Sequence, residues 1–317
     1  MGRHIRPKKS HRFRLFGIGA CFLVIAVASY SVGRTLLNQP TKSSDATARS
    51  SQSSTTKATR TTSSSTMSSM TSSIQATTTT TTTTSSASEP REELAVSNLE
   101  ANASHVYYGV YYFNSGKELS SNNSAPTISA SVIKVFVMEY ALTQADPNEV
   151  VDGKSVTDWL LPMIQQSDNA AANTLISHFG IETLNQFFQT QGYQDTRLER
   201  LMLDNDARAQ GKENYTSLND CMNFLKRLYQ QRTTEPYATM LEIMEGQTLR
   251  TKIPSKLSTD IVVANKTGEL DNAENDIGLV LTKDNPFALV VLTQNFTNTE
   301  AIRSAIGDVA LSAATLK

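Results

Sequence analysis

The sequence predicts an α+β fold: an antiparallel sheet drawn from both ends of a C-terminal domain and packed with helices, plus a helical subdomain between those ends. Three observations lead there. Strand-like runs rich in Val, Ile, Tyr and Phe lie at the two ends of the region after Arg91. The stretch between them carries helix-period patterns that begin at Ser, Asn or Thr and stop at Gly. A long amphipathic pattern closes the chain. Strands at both ends, with helices between and after them, are the order of an α+β domain.

The chain begins with "MGRHIRPKKSHRFR" (residues 1–14), which is basic and holds no acid. The uncharged run "LFGIGACFLVIAVASYSVG" follows, and residues 15–36 are long enough to cross a bilayer as a signal-anchor helix. Basic residues crowd its N-terminal flank, which places the N-terminus in the cytoplasm and the rest of the chain outside. The alternative is a secreted protein, with "AVA" at Ala26 to Ala28 as a signal-peptide cleavage site. Residues 37–90 are dominated by Ser and Thr and lack the apolar side chains a core needs. They read as a disordered stalk, with a typical span of ~40 Å. The domain proper is residues 91–317.

Within it, "HVYYGVYYFNSGKELS" reads as two strands joined by an Asn-Ser-Gly turn. Ser131 to Gln144 reads as a buried helix. "SVTDWLLPMIQQ", "NAAANTLISHFG", "IETLNQFFQTQG" and "LNDCMNFLKRLYQQ" supply the helical middle. "DIVVANKTG", "NDIGLVLT" and "FALVVLTQN" are three further strands, and "NTEAIRSAIGDVALSAATL" is the terminal helix.

Composition excludes several functions. The formal charge of −1 hides a basic head and an acidic body, and an acidic body offers no basic face for nucleic acid. Of the two cysteines, Cys21 falls in the hydrophobic run and Cys221 stands alone in the body, so no disulfide framework is available. The body holds only His105 and His178, without metal-ligand spacing, and no metal or cofactor is expected. Nothing demands a partner chain, so a monomer is expected.

The informative anomaly is Lys134, a lone charge inside the apolar run "VIKVFVM". A lysine in that setting either snorkels to the surface or is held there for its chemistry. Ser131 lies three residues earlier and so shares a helix face with it. At a helix start a serine also stands among unpaired N–H groups that favour developing negative charge. A desolvated lysine can take the hydroxyl proton as the serine attacks a carbonyl. The motif alone is weak, since "STTK" in the stalk matches it as well. Two further motifs add weight: "SDN" (Ser167 to Asn169) between two helices, and "KTG" (Lys266 to Gly268) near a strand end. Taken singly, the first is also a helix cap and the second a turn.

Ser-x-x-Lys, Ser-Asp-Asn and Lys-Thr-Gly in this order resemble the class A β-lactamases and the wider penicillin-recognising serine hydrolases. The resemblance spans about residue 100 to the C-terminus and implies a β-lactamase/transpeptidase-like fold, together with the order of the strands. It implies Ser131 as the acylated nucleophile and Lys134 as its base. Ser167 would relay a proton to the leaving nitrogen, and Asn169 would orient Lys134 and the substrate. Lys266 and Thr267 would hold a substrate carboxylate. The N–H groups of Ser131 and Glu269, the residue after Gly268, would receive the oxyanion. The substrate implied is a small molecule or peptide: a β-lactam or a peptidoglycan-like carbonyl compound. Three departures bear on turnover. Met202 stands where that family has the Glu that activates the deacylating water, with Glu199, Asp204 and Asp206 nearby but shifted. The connection from Lys134 to Ser167 is short. Glu269 replaces a small residue and is expected to repel an anionic substrate. The sequence also leaves open an inactive wall-binding module and a wall-polymer esterase.

Overall fold

The computed structural model describes residues 93–316, so the expected basic segment, membrane span and stalk lie outside the described residues. Among those described, no helix is long and apolar enough to cross a membrane.

The chain opens with a short helix, α1 (Ser97–Asn102), and strand β1 (Ala103–Tyr112), which turns at Gly116 into β2 (Glu118–Ser120). It returns to the same sheet only through β7 (Val262–Leu270), β8 (Ala273–Leu281) and β9 (Phe287–Phe296), and ends in α9 (Thr299–Thr315). The sheet order is β2-β1-β9-β8-β7 and every pairing is antiparallel. The expected sheet from both chain ends is therefore present, joined where β1 lies along β9 with Tyr108 opposite Val291. Strand β7 is outermost, leaving one long edge unpaired by the sheet.

Alternation along the strands builds two cores. Phe287, Leu289 and Val291 face α1 and α9, whereas Ala288, Val290 and Leu292 face the helical subdomain. That subdomain comprises α2 (Lys134–Thr143), α3 (Val156–Gln165), α4 (Asn169–Phe179), α5 (Ile181–Thr190), α6 (Asn205–Ala209), α7 (Leu218–Gln231) and α8 (Tyr237–Glu245). Two-residue strands punctuate it: β3 (Thr127–Ile128) pairs with β6 (Tyr215–Thr216), and β4 (Val150–Val151) with β5 (Lys154–Ser155). The helix starts obey local capping chemistry. Ser155 and Asp158 form a capping box on α3, Asp168 caps α4, and Asn298 caps α9.

Helix α2 is apolar all round, as a central helix must be, and it carries a second buried charge beside Lys134. Glu139 is fully buried and accepts from Tyr193 (2.6 Å), Arg227 (2.8 Å) and Tyr237 (3.3 Å). One carboxylate thereby ties α2 to α7, α8 and the loop after α5. Burial, with Glu139 adjacent, pushes the Tyr193 phenol well above its ordinary range, so it stays a donor. Replacing Glu139 with Ala removes the acceptor of two phenols and the carboxylate that Arg227 pairs with. The expected loss is about 3–5 kcal/mol of unfolding free energy, read from urea melts.

Candidate active site

The site lies where the start of α2, the α3–α4 corner and the edge strand β7 meet. The segment read as one helix from Ser131 begins instead as a 3₁₀ turn, Ala130–Ile133, and becomes α-helical at Lys134. The entry is set by Ala130, whose φ of +47° is a left-handed conformation costly for a residue with a Cβ. The side chain of Asn275 on β8 pins this turn by donating to the carbonyls of Ile128 (2.8 Å) and Ser129 (3.2 Å).

Lys134 does not snorkel; it is fully buried. Its Nζ donates to the Ser167 carbonyl (2.7 Å) and Asn169 Oδ1 (2.8 Å), with Ser167 Oγ at 3.4 Å. Burial lowers its pKa to about 7, against a small opposing pull from Asp168. Lys266, also fully buried, donates to Ser167 Oγ (2.8 Å) and to the Thr267 carbonyl (2.7 Å). Burial and then repulsion from Lys134 hold its pKa well below the lysine range. The Ser167 hydroxyl therefore stands between two amines. Its backbone is left-handed, with φ +57°, which turns its carbonyl and its hydroxyl toward them. Within Ser-Asp-Asn the capping reading applies to Asp168 alone, which accepts from the Ala171 N–H (2.8 Å), while both its neighbours contact Lys134.

Lys-Thr-Gly lies inside β7, which continues to Leu270, rather than in a turn after it. Thr267 is buried, and its Oγ1 has no hydrogen-bond partner among the described residues. Gly268 allows the strand and the Ser131 turn to touch: a Cβ there would lie 2.8 Å from the Ser129 carbonyl and 3.2 Å from Ala130 Cβ.

A cavity of about 190 Å³ opens here, with Ser131, Asn169, Met202, Arg208, Glu269 and Asp271 in its wall. The acids in this wall are engaged. Glu213 is paired with buried Arg200, and Asp271 with Arg208 (3.0 Å). Glu269 meets Lys252 and Arg303, each at 3.2 Å. Burial works against ionisation of Glu269, but Lys252 and Arg303 outweigh it and hold its pKa below the usual carboxylate value. This corrects the expectation of a bare repulsive charge, because two cations offset it. Met202 is nearly buried, and its backbone is clamped on both sides by Asn173, which accepts from its N–H (2.7 Å) and donates to its carbonyl (3.0 Å). Of the nearby acids, Glu199 bonds Arg197 and Asp204 caps α6, while Asp206 is exposed in the first turn of α6.

The structure thus brings Lys134, Ser167, Asn169 and Lys266 into one hydrogen-bonded cluster, with Ser131 and Glu269 on the adjoining cavity. Sequence reasoning missed Asn173, Asn214, Lys252 and Asn275. Asn214 clamps the Met202 loop through the N–H of Glu199 (2.9 Å) and both backbone groups of Arg200 (3.1 Å each). None of the four interrupts an apolar pattern or forms a local motif, so no sequence signal marks them.

Ser131 on a cavity adjoining two buried lysines, on this two-part fold, is the arrangement of a serine hydrolase. The family model of the beta-lactamase enzyme family matches residues 91–315, and the chain belongs to that family as a β-lactamase-like serine hydrolase. Solved structures share the fold. The β-lactamase from Sphaerobacter thermophilus DSM 20745 is 22% identical, with a TM-score of 0.60 over 69% of this chain and 93% of that one. A β-lactamase from Chitinophaga pinensis DSM 2588 is 18% identical, with a TM-score of 0.59 over 69% and 96%. The protein PBP-A is 20% identical, with a TM-score of 0.57 over 70% and 96%. A search of curated protein sequences returns no match.

Gly268→Ala tests the contact between the strand and the Ser131 turn. The clash is expected to cost about 1–3 kcal/mol in a thermal melt. Displacement of the Ser131 turn is expected to lower hydrolase activity about a hundredfold.

Proposed function

We propose that this chain is a membrane-anchored, extracytoplasmic penicillin-recognising hydrolase that is acylated at Ser131 and released slowly. The observation that carries this reading is Met202, held by Asn173 on the cavity wall where a water-activating carboxylate would be needed, while the wall's own acids are tied to cations.

In the proposed reaction neutral Lys134 takes the Ser131 proton as Oγ bonds to the substrate carbonyl carbon. The oxyanion that forms accepts from the N–H groups of Ser131 and Glu269. The trans peptide geometry supports that pairing. The Gly268 carbonyl faces inward to Lys252, which turns the Glu269 N–H of the same peptide toward the open edge of β7. Collapse of the intermediate breaks the carbonyl carbon–nitrogen bond, and the proton reaches the leaving nitrogen through Ser167 from the Lys134/Lys266 pair. The unpartnered Thr267 hydroxyl, with Lys266, takes the substrate carboxylate. Similarity to β-lactamases and to PBP-A supports β-lactams or wall-peptide carbonyls as the substrate class. The apolar run at residues 15–36 supports the anchor.

Intact-mass spectrometry with benzylpenicillin tests the reading. The expected result is one lasting adduct per chain, absent from Ser131→Ala. Rapid penicillin loss with only a fleeting adduct would refute slow release. No adduct with penicillin, but one with an activated ester, would favour the wall-polymer esterase. The acylation rate is expected to rise with pH through about 7, because the base must be unprotonated and burial places Lys134's pKa there. A profile flat between pH 6 and 8 would remove Lys134 from that role. Met202→Glu, which returns a carboxylate to the cavity wall, is expected to shorten the adduct's lifetime by about 10²-fold or more.

A further inference from the structure

Lys252 precedes the 3₁₀ turn Ile253–Lys256 and is completely buried, although neither a helix nor a strand requires it there. Its Nζ donates to the carbonyls of Gly268 (3.2 Å) and Asn275 (3.1 Å) and pairs with Glu274 (2.6 Å) and Glu269 (3.2 Å). Arg303 of α9 reaches the same two acids, at 2.7 Å to Glu274 and 3.2 Å to Glu269. Two features of this cluster bear on the chemistry at Ser131. The Gly268 carbonyl is the inner end of the peptide whose outer end is the Glu269 N–H, and a cation bonded to a carbonyl draws electron density along the amide and strengthens its N–H as a donor. The Glu269 carboxylate sits on the residue that offers this N–H, where its charge opposes an oxyanion unless it is offset.

We propose that Lys252 is a positioning residue for acyl transfer: it orients and polarises the Gly268–Glu269 peptide toward the oxyanion, and with Arg303 it cancels the Glu269 charge that would oppose it. Lys252 touches neither substrate nor Ser131; it acts through the peptide. The inference rests on the reading of Ser131 as the acylated nucleophile. Asn275 joins the same arrangement from β8. Its carbonyl accepts from Lys252 while its amide pins the Ser129 carbonyl, so one residue references both oxyanion donors to a common frame.

The test separates binding from acylation. The full-length chain is mixed rapidly with a chromogenic cephalosporin, and the acylation rate constant and the dissociation constant of the non-covalent complex are resolved from the concentration dependence. Loss of a whole oxyanion donor costs about 10²–10³ in rate, so loss of its polarisation in Lys252→Met is expected to slow acylation about tenfold. The midpoint of the pH profile stays in place, because Lys134 is intact, and the dissociation constant rises a few-fold at most, because Arg303 still offsets Glu269. Lys252→Arg is expected to restore most of the rate. Should Lys252→Met fail to fold, Lys252→Met/Glu274→Gln removes the ion pair without leaving Glu274 unpaired, and it is judged by the same criterion. An unchanged acylation rate in the folded variant overturns the proposal. So does a weakened dissociation constant with the rate preserved, which would make Lys252 a substrate contact. A wild-type chain that never acylates refutes the reading of Ser131 itself, and is told apart because no variant is needed to see it.

Discussion

Two amines buried side by side are the constraint to which this molecule is built. Lys134 and Lys266 share one hydroxyl, that of Ser167, and among the described residues no carboxylate accepts from either. Desolvation disfavours both charged forms, and repulsion from Lys134 adds to it at Lys266. Such a pair survives only where every donor has an oxygen to reach. The carbonyls of Ser167 and Thr267, the hydroxyl of Ser167 and the amide of Asn169 supply those oxygens. Solvating amines with neutral oxygens, rather than pairing them with acids, holds Lys134 near neutrality without fixing its proton. The carboxylate next to Ser167, Asp168, is spent on capping α4.

The surroundings can be read as what keeps those oxygens in place. The left-handed turns at Ala130 and Ser167 present backbone where an ordinary helix start would present side chains. Gly268 lets β7 press against the nucleophile turn, and Asn275 ties that turn to β8. Behind the strand, Lys252, Glu274, Glu269 and Arg303 form a second charged cluster on the α9 face. Strand β7 thus separates two unlike electrostatic regions: bare amines on the helical face and balanced ion pairs on the other.

The parts legible in the sequence were those where chemistry interrupts a pattern. Lys134 stood out because its neighbours are apolar, and the sheet was legible because β9 and the second half of β8, covered on both faces, read as apolar runs. The 3₁₀ start of α2 was not legible, because Ala130 carries no glycine-like signal for its positive φ. The short helix α1 escaped for lack of length. The pairing of Glu269 with Lys252 and Arg303 joins three distant segments, and no local spacing encodes it. Asn173, Asn214 and Asn275 act through amides that serve as donor and acceptor at once, a versatility that in one dimension looks like any polar surface residue.

The seam between β1 and β9 has a consequence for how the protein comes into being. One edge of β1 pairs at once with β2, but the other waits for a strand laid down some 180 residues later, as Tyr108 opposite Val291 illustrates. Contacts so distant along the chain are slow to close. During synthesis the helical subdomain, with Ser131, Lys134, Ser167 and Asn169, emerges well before β7 brings Lys266 and the Glu269 N–H. A chain that stops before β7 therefore carries Ser131 and Lys134 without Lys266 and the Glu269 N–H. The cluster of two amines is thus assembled only once the last strands of the sheet are in place.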